Sequence, residues 1–450
     1  MSARTIFTRN LASAFLAGAW SATALARRGG EACGQRKRWL PPLVRRVLAR
    51  FLASDPRPDV ETLTGFLLTD PGFCRAWSRQ PLAIHRVYWV SPAMTPAPGE
   101  PASWALPPLT TTTALAEWLG LRPEELDWLA DCQRRERLAP PGPLRHYTYR
   151  WRTTRRKARL LEVPKSRLKE IQRRLLHGLL DHIPPHDAAH AYRRGRSLGT
   201  LVAPHAGRRI VLHFDLHDFF PSVRGARVHA LFQTAGYPRV VARLLTGLCT
   251  NSVPREILDK RPSVGADRRA GEVRARLATA HLPQGAPTSP ALANLCAYRL
   301  DCRLLGLARA LGAGYTRYAD DLIFSGGEEL ERGARRFHVH VCRIALEEGF
   351  EVNTRKSRFM RQGVRQQVAG VVLNVRPNLL RSEYDRLKAI LTNCVRRGPH
   401  EQNRDGHDDF RAHLAGRIAH VSMLHPERGL RLRRLFERIR WTDASSPAQS

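Results

Sequence analysis

A chain of 450 residues is long enough to build two or three domains, each around its own core. Its 74 Lys and Arg against 40 Asp and Glu leave a formal charge of +34; genomic drift explains the preference for Arg over Lys but not the shortage of acids, so the balance points to a polyanionic partner such as nucleic acid. The eight Cys form no Cys-x-x-Cys pair, which argues against a zinc ribbon or a disulfide framework and fits a reducing cytoplasm.

At the N-terminus, Arg4 and Arg9 lead into an apolar stretch over residues 11–20, and Ala24-Leu25-Ala26 follows. The pattern mimics a secretory leader, with a helix of the folded protein as the competing reading. No other run is long and apolar enough to span a membrane. Residues 36–53 predict a basic amphipathic helix after Pro42, with Leu43, Val47, Leu48 and Phe51 on one face and Arg45, Arg46 and Arg50 on the other. A second helix is expected over 59–68, and the Pro, Ser, Thr and Ala of 91–113 read as a linker, which places a boundary near residue 100.

From Thr112, Leu115, Trp118 and Leu119 share a helical face that Gly120 ends; Pro123-Glu124-Glu125 opens a second helix carrying Leu126, Leu129 and Ala130. Tyr147, Tyr149 and Trp151 alternate with polar residues, and Arg159-Leu160-Leu161-Glu162-Val163 returns after the basic turn Arg155-Arg156-Lys157. This predicts a β-hairpin suited to closing over a triphosphate. Leu168, Ile171, Leu175 and Leu179 repeat at helical spacing over 166–182. His182, His186 and His190 are read as ordinary polar positions, because Pro184-Pro185 breaks any helix that would align them on a metal. Arg193, Arg194 and Arg196 form either a solvated or a phosphate-contacting loop.

The chemistry concentrates at two places. Ile210-Val211-Leu212-His213-Phe214-Asp215 reads as a buried strand ending in a carboxylate, whereas Asp218, two residues past the strand end, is read as structural. Tyr318-Ala319-Asp320-Asp321 lies between apolar runs as the acidic tip of a second hairpin. Adjacent carboxylates repel. A lone Asp-Asp is most simply a polar turn, but with Asp215 it makes a set of three hard ligands suited to Mg²⁺. Two Mg²⁺ ions held by such acids can activate an attacking hydroxyl and stabilise a departing pyrophosphate.

Between them, residues 251–281 read as a polar, mobile insertion. Leu282-Pro283-Gln284-Gly285-Ala286-Pro287-Thr288-Ser289-Pro290 is a loop feeding a helix over 290–304. Its small residues let a base and a nucleotide approach the backbone, and Gln284 offers both a donor and an acceptor. An amphipathic helix is expected over 330–349. Lys356 follows in a chain that prefers Arg; an amine can release a proton where guanidinium cannot, so it is either a general acid or a chance Lys. Val368-Ala369-Gly370-Val371-Val372-Leu373-Asn374 reads as a buried strand and turn, and 382–397 and 407–440 as basic helices.

In this order, Phe-Asp-Leu-x-Asp-Phe-Phe-Pro-Ser, Leu-Pro-Gln-Gly-Ala-Pro-Thr-Ser-Pro and Tyr-Ala-Asp-Asp resemble the motifs of reverse transcriptases. The helical preamble at 112–138, Gln172, the stretch from Ala189 to Ser197 and the Val-x-Gly strand resemble the bacterial retron branch more narrowly. The resemblance covers about 112–440. Two signatures depart from that branch: of an expected Asn-Ala-x-x-His only His205 remains, and the usual Val-Thr-Gly stands as Val368-Ala369-Gly370.

The resemblance implies an α+β right-hand polymerase fold. Its parts are a helical preamble (101–143), fingers and an antiparallel palm (144–375), a helical thumb (376–441) and a tail (442–450); the basic helical extension and linker (1–100) lies outside the resemblance. It implies that Asp215, Asp320 and Asp321 hold two Mg²⁺ ions and that Arg159, Gln284 and Gly285 contact the nucleotide; Lys356 as general acid rests on the residue chemistry above. Phe220 would exclude a 2′-hydroxyl by bulk, and the 371–374 turn would support the primer end. Implied partners are dNTPs, a cognate non-coding RNA serving as template and primer, an RNA–DNA hybrid product and an effector protein, in a cytoplasmic antiphage system without a membrane. The alternatives are another bacterial reverse transcriptase, of group II intron or standalone defence type, and a non-catalytic RNA-binding scaffold. Three intact acids argue against the scaffold.

Overall fold

The structure, a computed structural model, describes residues 2–34, 37–51, 58, 60–79, 82–88, 104–154, 158–264 and 269–441. The chain divides into two units: one contains 1–103, 108–118 and 232–242, and the other contains the rest.

In the first unit, the first six residues of the leader-like stretch, 11–16, belong to the helix Ala3–Leu16, capped by the Ser2 side chain. Phe7, Leu11 and Phe15 project from its buried face at helical spacing. They pack with Leu25 of the helix Ala22–Ala32, Leu43 and Val47 of Leu40–Phe51, Leu63 and Leu67 of Val60–Thr69, and Phe73 of Pro71–Arg79. Buried Arg28 donates to the carbonyls of Ala14, Phe15 and Ala19, so a cation terminates the first helix where its dipole is negative. Arg46, on the polar face of its helix as expected, forks onto Asp70 at 2.6 and 2.8 Å, and the amide of Phe73 also donates to that carboxylate. Most of the expected linker lies outside the described residues.

In the second unit, strands β1 (Tyr147–Thr153) and β2 (Ala158–Pro164) form the expected hairpin; its turn, 155–157, lies outside the described residues. A four-stranded antiparallel sheet follows from β3 (Ile210–Asp215), β4 (Gly314–Tyr318), β5 (Asp321–Gly326) and β6 (Arg358–Arg361), in the spatial order β4-β5-β3-β6. Central β3 is buried along its length except at half-buried His213: Ile210, Leu212 and Phe214 make one face apolar, and the other carries Val211, His213 and Asp215. The expected strand near 370 is two short strands, β7 (Gln367–Val368) and β8 (Val371–Val372), completed by β9 (Asn378–Leu379) into a small sheet. Positive φ at Ala369 and Gly370 turns β7 into β8. Beyond lie the helices Arg381–Arg397, Phe410–Leu424 and Pro426–Glu437, joined through Leu391, Leu414, Ile418 and Leu432.

The segment 251–281 corrects the sequence reading. It is packed, with helices Arg255–Asp259 and Ala270–Leu277; residues 265–268 lie outside the described set. Val253, Leu258 and Leu277 bury against Leu160 of β2, and Trp151 donates to the Ile257 carbonyl at 3.1 Å. The high polar content concealed these three well-spaced anchors. Among the described helices, none is long and apolar enough to cross a membrane.

Candidate active site

The site forms where β3 ends beside the β4–β5 turn. Antiparallel register places Asp215 opposite Asp321, and Tyr318 opposite Asp321 leaves Ala319 and Asp320 as a two-residue loop. Ala319 has φ +54°, at the loop position where such tight hairpins commonly take Gly, so this turn carries strain of roughly 1–2 kcal/mol. Two contacts hold it: the Leu216 amide donates to the Asp320 carbonyl at 2.8 Å, and Arg317 donates to the Ala319 carbonyl at 3.1 Å.

Among the described residues Arg317 is the largest fully buried side chain. Its guanidinium forks onto Asp301 at 2.8 and 2.7 Å and reaches Asn294 at 3.0 Å, while Tyr315 donates to the same Asp301 at 2.7 Å. The Ala188 carbonyl accepts from the Arg317 amide, and the Arg317 carbonyl accepts from the His190 amide. A buried pair is tolerated only when its remaining hydrogen bonds are filled, as they are here. Arg317 was not singled out from the sequence. The signal was an Arg inside a strand of otherwise uncharged residues.

Asp215 is 8% exposed. Lys356 donates to both its oxygens, at 3.0 and 2.9 Å; Asn353 donates to one at 3.1 Å, and the Asn353 amide donates to the Asp215 carbonyl. Lys356 thus lies at the acidic cluster, with its side chain half-exposed. Asp321 accepts from His213 Nε2 at 2.7 Å. His213 and Asn353 were not singled out from the sequence, although strand alternation places His213 on the same face as Asp215.

Burial raises the Asp320 pKa, the charges of Asp321 and Asp215 raise it further, and Arg159 opposes them. Three carboxylates within mutual electrostatic reach call for cationic charge, and their hard oxygens fit a divalent ion. Among the described residues no group of three His, Cys, Asp or Glu forms a ready-made metal cage, and Lys356 and His213 occupy oxygens of Asp215 and Asp321.

The other expected residues surround this point unevenly. Arg159 is exposed on β2, opposite Arg152, and its charge reaches Asp320. Phe220, in the turn of helix Phe219–Ser222, lies with its ring 6.3 Å from that of Tyr192. The charge of Asp320 adds to burial in raising the Tyr192 phenol pKa, which brings this exposed ring to the same site. The Gln284 carbonyl accepts from the Glu162 amide at 2.8 Å. Gly285, with φ +133°, lies so near β2 that a Cβ there would come within 2.8 Å of the Glu162 carbonyl oxygen. Its smallness therefore serves the chain's own backbone first, a use the sequence reading did not foresee.

Behind β2, buried Glu162 accepts from His281 and Asn251, both at 2.8 Å. His281 Nδ1 also donates to the Thr279 carbonyl, so both ring nitrogens donate. Burial lowers the His281 pKa, but Glu162 outweighs it and the net shift is upward. Asp218 has φ +45° and lies 3.7 Å from Arg276, a residue that also reaches Ser222 and Glu351. Of the loop arginines, Arg193 and Arg196 pair with exposed Asp187, and Arg194 lies 3.9 Å from Asp181. His186 packs edge-on to Tyr298, and His190 meets the Thr200 hydroxyl. His205, buried, bridges Thr316 of β4 and Ser325 of β5.

Residues 152–376 match the family model described as reverse transcriptase (RNA-dependent DNA polymerase). Over 350 residues the chain is 40% identical to the Retron Mx65 reverse transcriptase of Myxococcus xanthus, covering 76% of this chain and 74% of that protein. It is 34% identical over 340 residues to the Retron Mx162 reverse transcriptase of the same organism, covering 71% of this chain and 65% of that protein, just under two thirds. It is 29% identical over 248 residues to the Retron Ec86 reverse transcriptase of Escherichia coli, covering 54% of this chain and 68% of that protein.

Proposed function

The chain belongs to the reverse transcriptase family, in its retron branch, and is an RNA-directed DNA polymerase; on that premise we propose that it copies a structured non-coding RNA partner into a short single-stranded DNA that stays linked to RNA. The observation that carries the polymerase reading is the register that sets Asp215 opposite Asp321 with Asp320 at the adjoining turn. We assign the fingers and palm to 144–375, the thumb to 376–441, the preamble to 101–143 and the basic extension to 1–100. An antiphage role with an effector protein follows from the family resemblance alone.

Asp215, Asp320 and Asp321 would hold the divalent ions on which this family generally depends, and we assign two Mg²⁺. Bound there, they would supply the charge that turns a primer hydroxyl into a nucleophile and steadies a leaving pyrophosphate. The chain's own residues set the rest. Arg159, already within electrostatic reach of Asp320, binds the triphosphate. Phe220 fills the space a 2′-hydroxyl would need, with Tyr192 flanking its ring. Gln284 and Gly285 contact the nucleotide, and the 371–374 turn supports the primer end. Lys356 neutralises Asp215 until cations arrive, then carries a proton toward the departing pyrophosphate.

The test is dNTP incorporation on a primer–template by Asp320→Ala and Asp321→Ala. Both are expected to lose synthesis while keeping RNA affinity, and undiminished synthesis by either would end the assignment. The product reading is checked separately on nucleic acid co-purifying from the native host. A short DNA that RNase shortens without removing a small RNA remnant is expected. RNA alone, with robust incorporation on added primer–template, would remove the linked product and leave the polymerase.

A further inference from the structure

A cleft of about 490 Å³ opens in the second unit, and none of Asp215, Asp320, Asp321, Phe220 or Gln284 lines it. Arg134, Arg137, Arg224 and Arg243 line it from three separate stretches of chain, with His229 among them. All four arginines are exposed. Among the described residues none of the four makes an ion pair; Arg224 has only the Thr279 hydroxyl, at 2.8 Å.

The acids in the same wall do not balance them. Both oxygens of Asp131 accept from backbone amides, of Arg135 at 2.7 Å and Glu136 at 3.0 Å. Glu136 is buried and accepts from the amides of His146 and Tyr147, and burial pushes its carboxyl above the usual range. Elsewhere the chain pairs its arginines closely, as in Arg303 with Glu347 and Glu348 or Arg269 with Glu351. Four planar guanidinium groups around one cleft repel one another until an anion enters, and their fork geometry matches phosphate oxygens. The volume exceeds what a lone phosphate needs and suits a ligand of nucleotide size.

We propose that this cleft is a second nucleotide-phosphate site, distinct from the acidic cluster, which takes a phosphate together with its attached nucleoside. Two sources share that chemistry: a nucleotide of a bound RNA strand and a free nucleotide. The RNA source rests on the reading that the chain acts on RNA; the chemistry of the cleft does not.

The test uses the full chain, a variant carrying Arg134→Gln, Arg137→Gln, Arg224→Gln and Arg243→Gln, and a counterpart with Lys at all four positions. Binding of a labelled single-stranded RNA is followed by anisotropy across a salt series, and binding of AMP by equilibrium dialysis in EDTA. The Gln variant is expected to bind at least one probe about tenfold more weakly, and the Lys counterpart to recover most of that loss. For RNA, the slope of log K against log salt should fall by about 1–3, one step for each phosphate released. Loss confined to RNA assigns the site to a strand, and loss of AMP binding assigns it to a free nucleotide. Unchanged affinity for both probes, with an unchanged slope, overturns the proposal. Primer–template incorporation by the unmodified chain is measured in parallel: its absence would sink the catalytic reading while leaving the binding comparison intact.

Discussion

Acidification should destabilise the sheet that carries the acidic turn, through His205. The ring is fully buried between β4 and β5, with Nε2 2.7 Å from the Thr316 hydroxyl and Nδ1 2.7 Å from the Ser325 hydroxyl. Thr316 donates onward to the Leu201 carbonyl at 3.3 Å, so it accepts from Nε2–H, and Nδ1 accepts from Ser325; the network assigns a neutral ring. Burial, with smaller help from His190 and Arg208, pushes the pKa down from 6.5 to about 3. Above pH 6.5 folded and unfolded states are both neutral and nothing is lost. Below it the unfolded imidazole takes a proton that the folded one refuses, so stability falls with pH until the folded pKa is passed. Between pH 8 and pH 5 that linkage amounts to about 2 kcal/mol. The assay is urea unfolding of the unmodified protein and His205→Asn at both pH values. At pH 8 the variant should be less stable, by roughly 1–3 kcal/mol for the hydroxyls left unpaired. It should, however, lose about 2 kcal/mol less on acidification. His190, pushed down to about 4, is present in both proteins and cancels in the comparison. Equal acid losses would refute the argument.

Arg317→Met should cost about 3–5 kcal/mol, because it strands the buried Asp301 charge. Adding Asp301→Leu should recover much of that in urea unfolding, and a single variant as stable as the unmodified chain would contradict the pairing. Gly247→Ala should lower the melting temperature by an amount equivalent to about 1–3 kcal/mol, since its Cβ runs into the Ala130 carbonyl; an unchanged melting temperature would show that the backbone gives way freely. Phe220→Ala should raise ribonucleotide use relative to deoxyribonucleotide use, read as a ratio of kcat/KM values, and unchanged sugar selection would remove its role as a gate.

The acidic hairpin was legible because its signals are local: two apolar runs of strand length around a tight acidic turn, and a strand ending in Asp215. The β1–β2 hairpin and most helices were legible for the same reason. The 251–281 segment was misread because its anchors, Val253, Leu258 and Leu277, are sparse in a polar stretch and meet Leu160 about a hundred residues earlier. The pairing of Arg46 with Asp70 was not legible, because Asp70 lies outside that helix, 24 residues further on.

The sequence by itself therefore determined the chemistry on offer: three carboxylates at strand ends and turns, a glycine-containing loop, and a cationic excess suited to phosphate. Residue type and short-range periodicity are enough for that. Only the tertiary structure decided how those groups are held. Antiparallel register set Asp215 against Asp321, and packing closed Arg317 on Asp301, His205 between Thr316 and Ser325, and Glu162 on His281. It also gathered four arginines from distant stretches around one cleft. Each of these pairings joins residues whose spacing follows no local period, and the cost of a buried charge or hydroxyl is settled only by which partner the fold delivers.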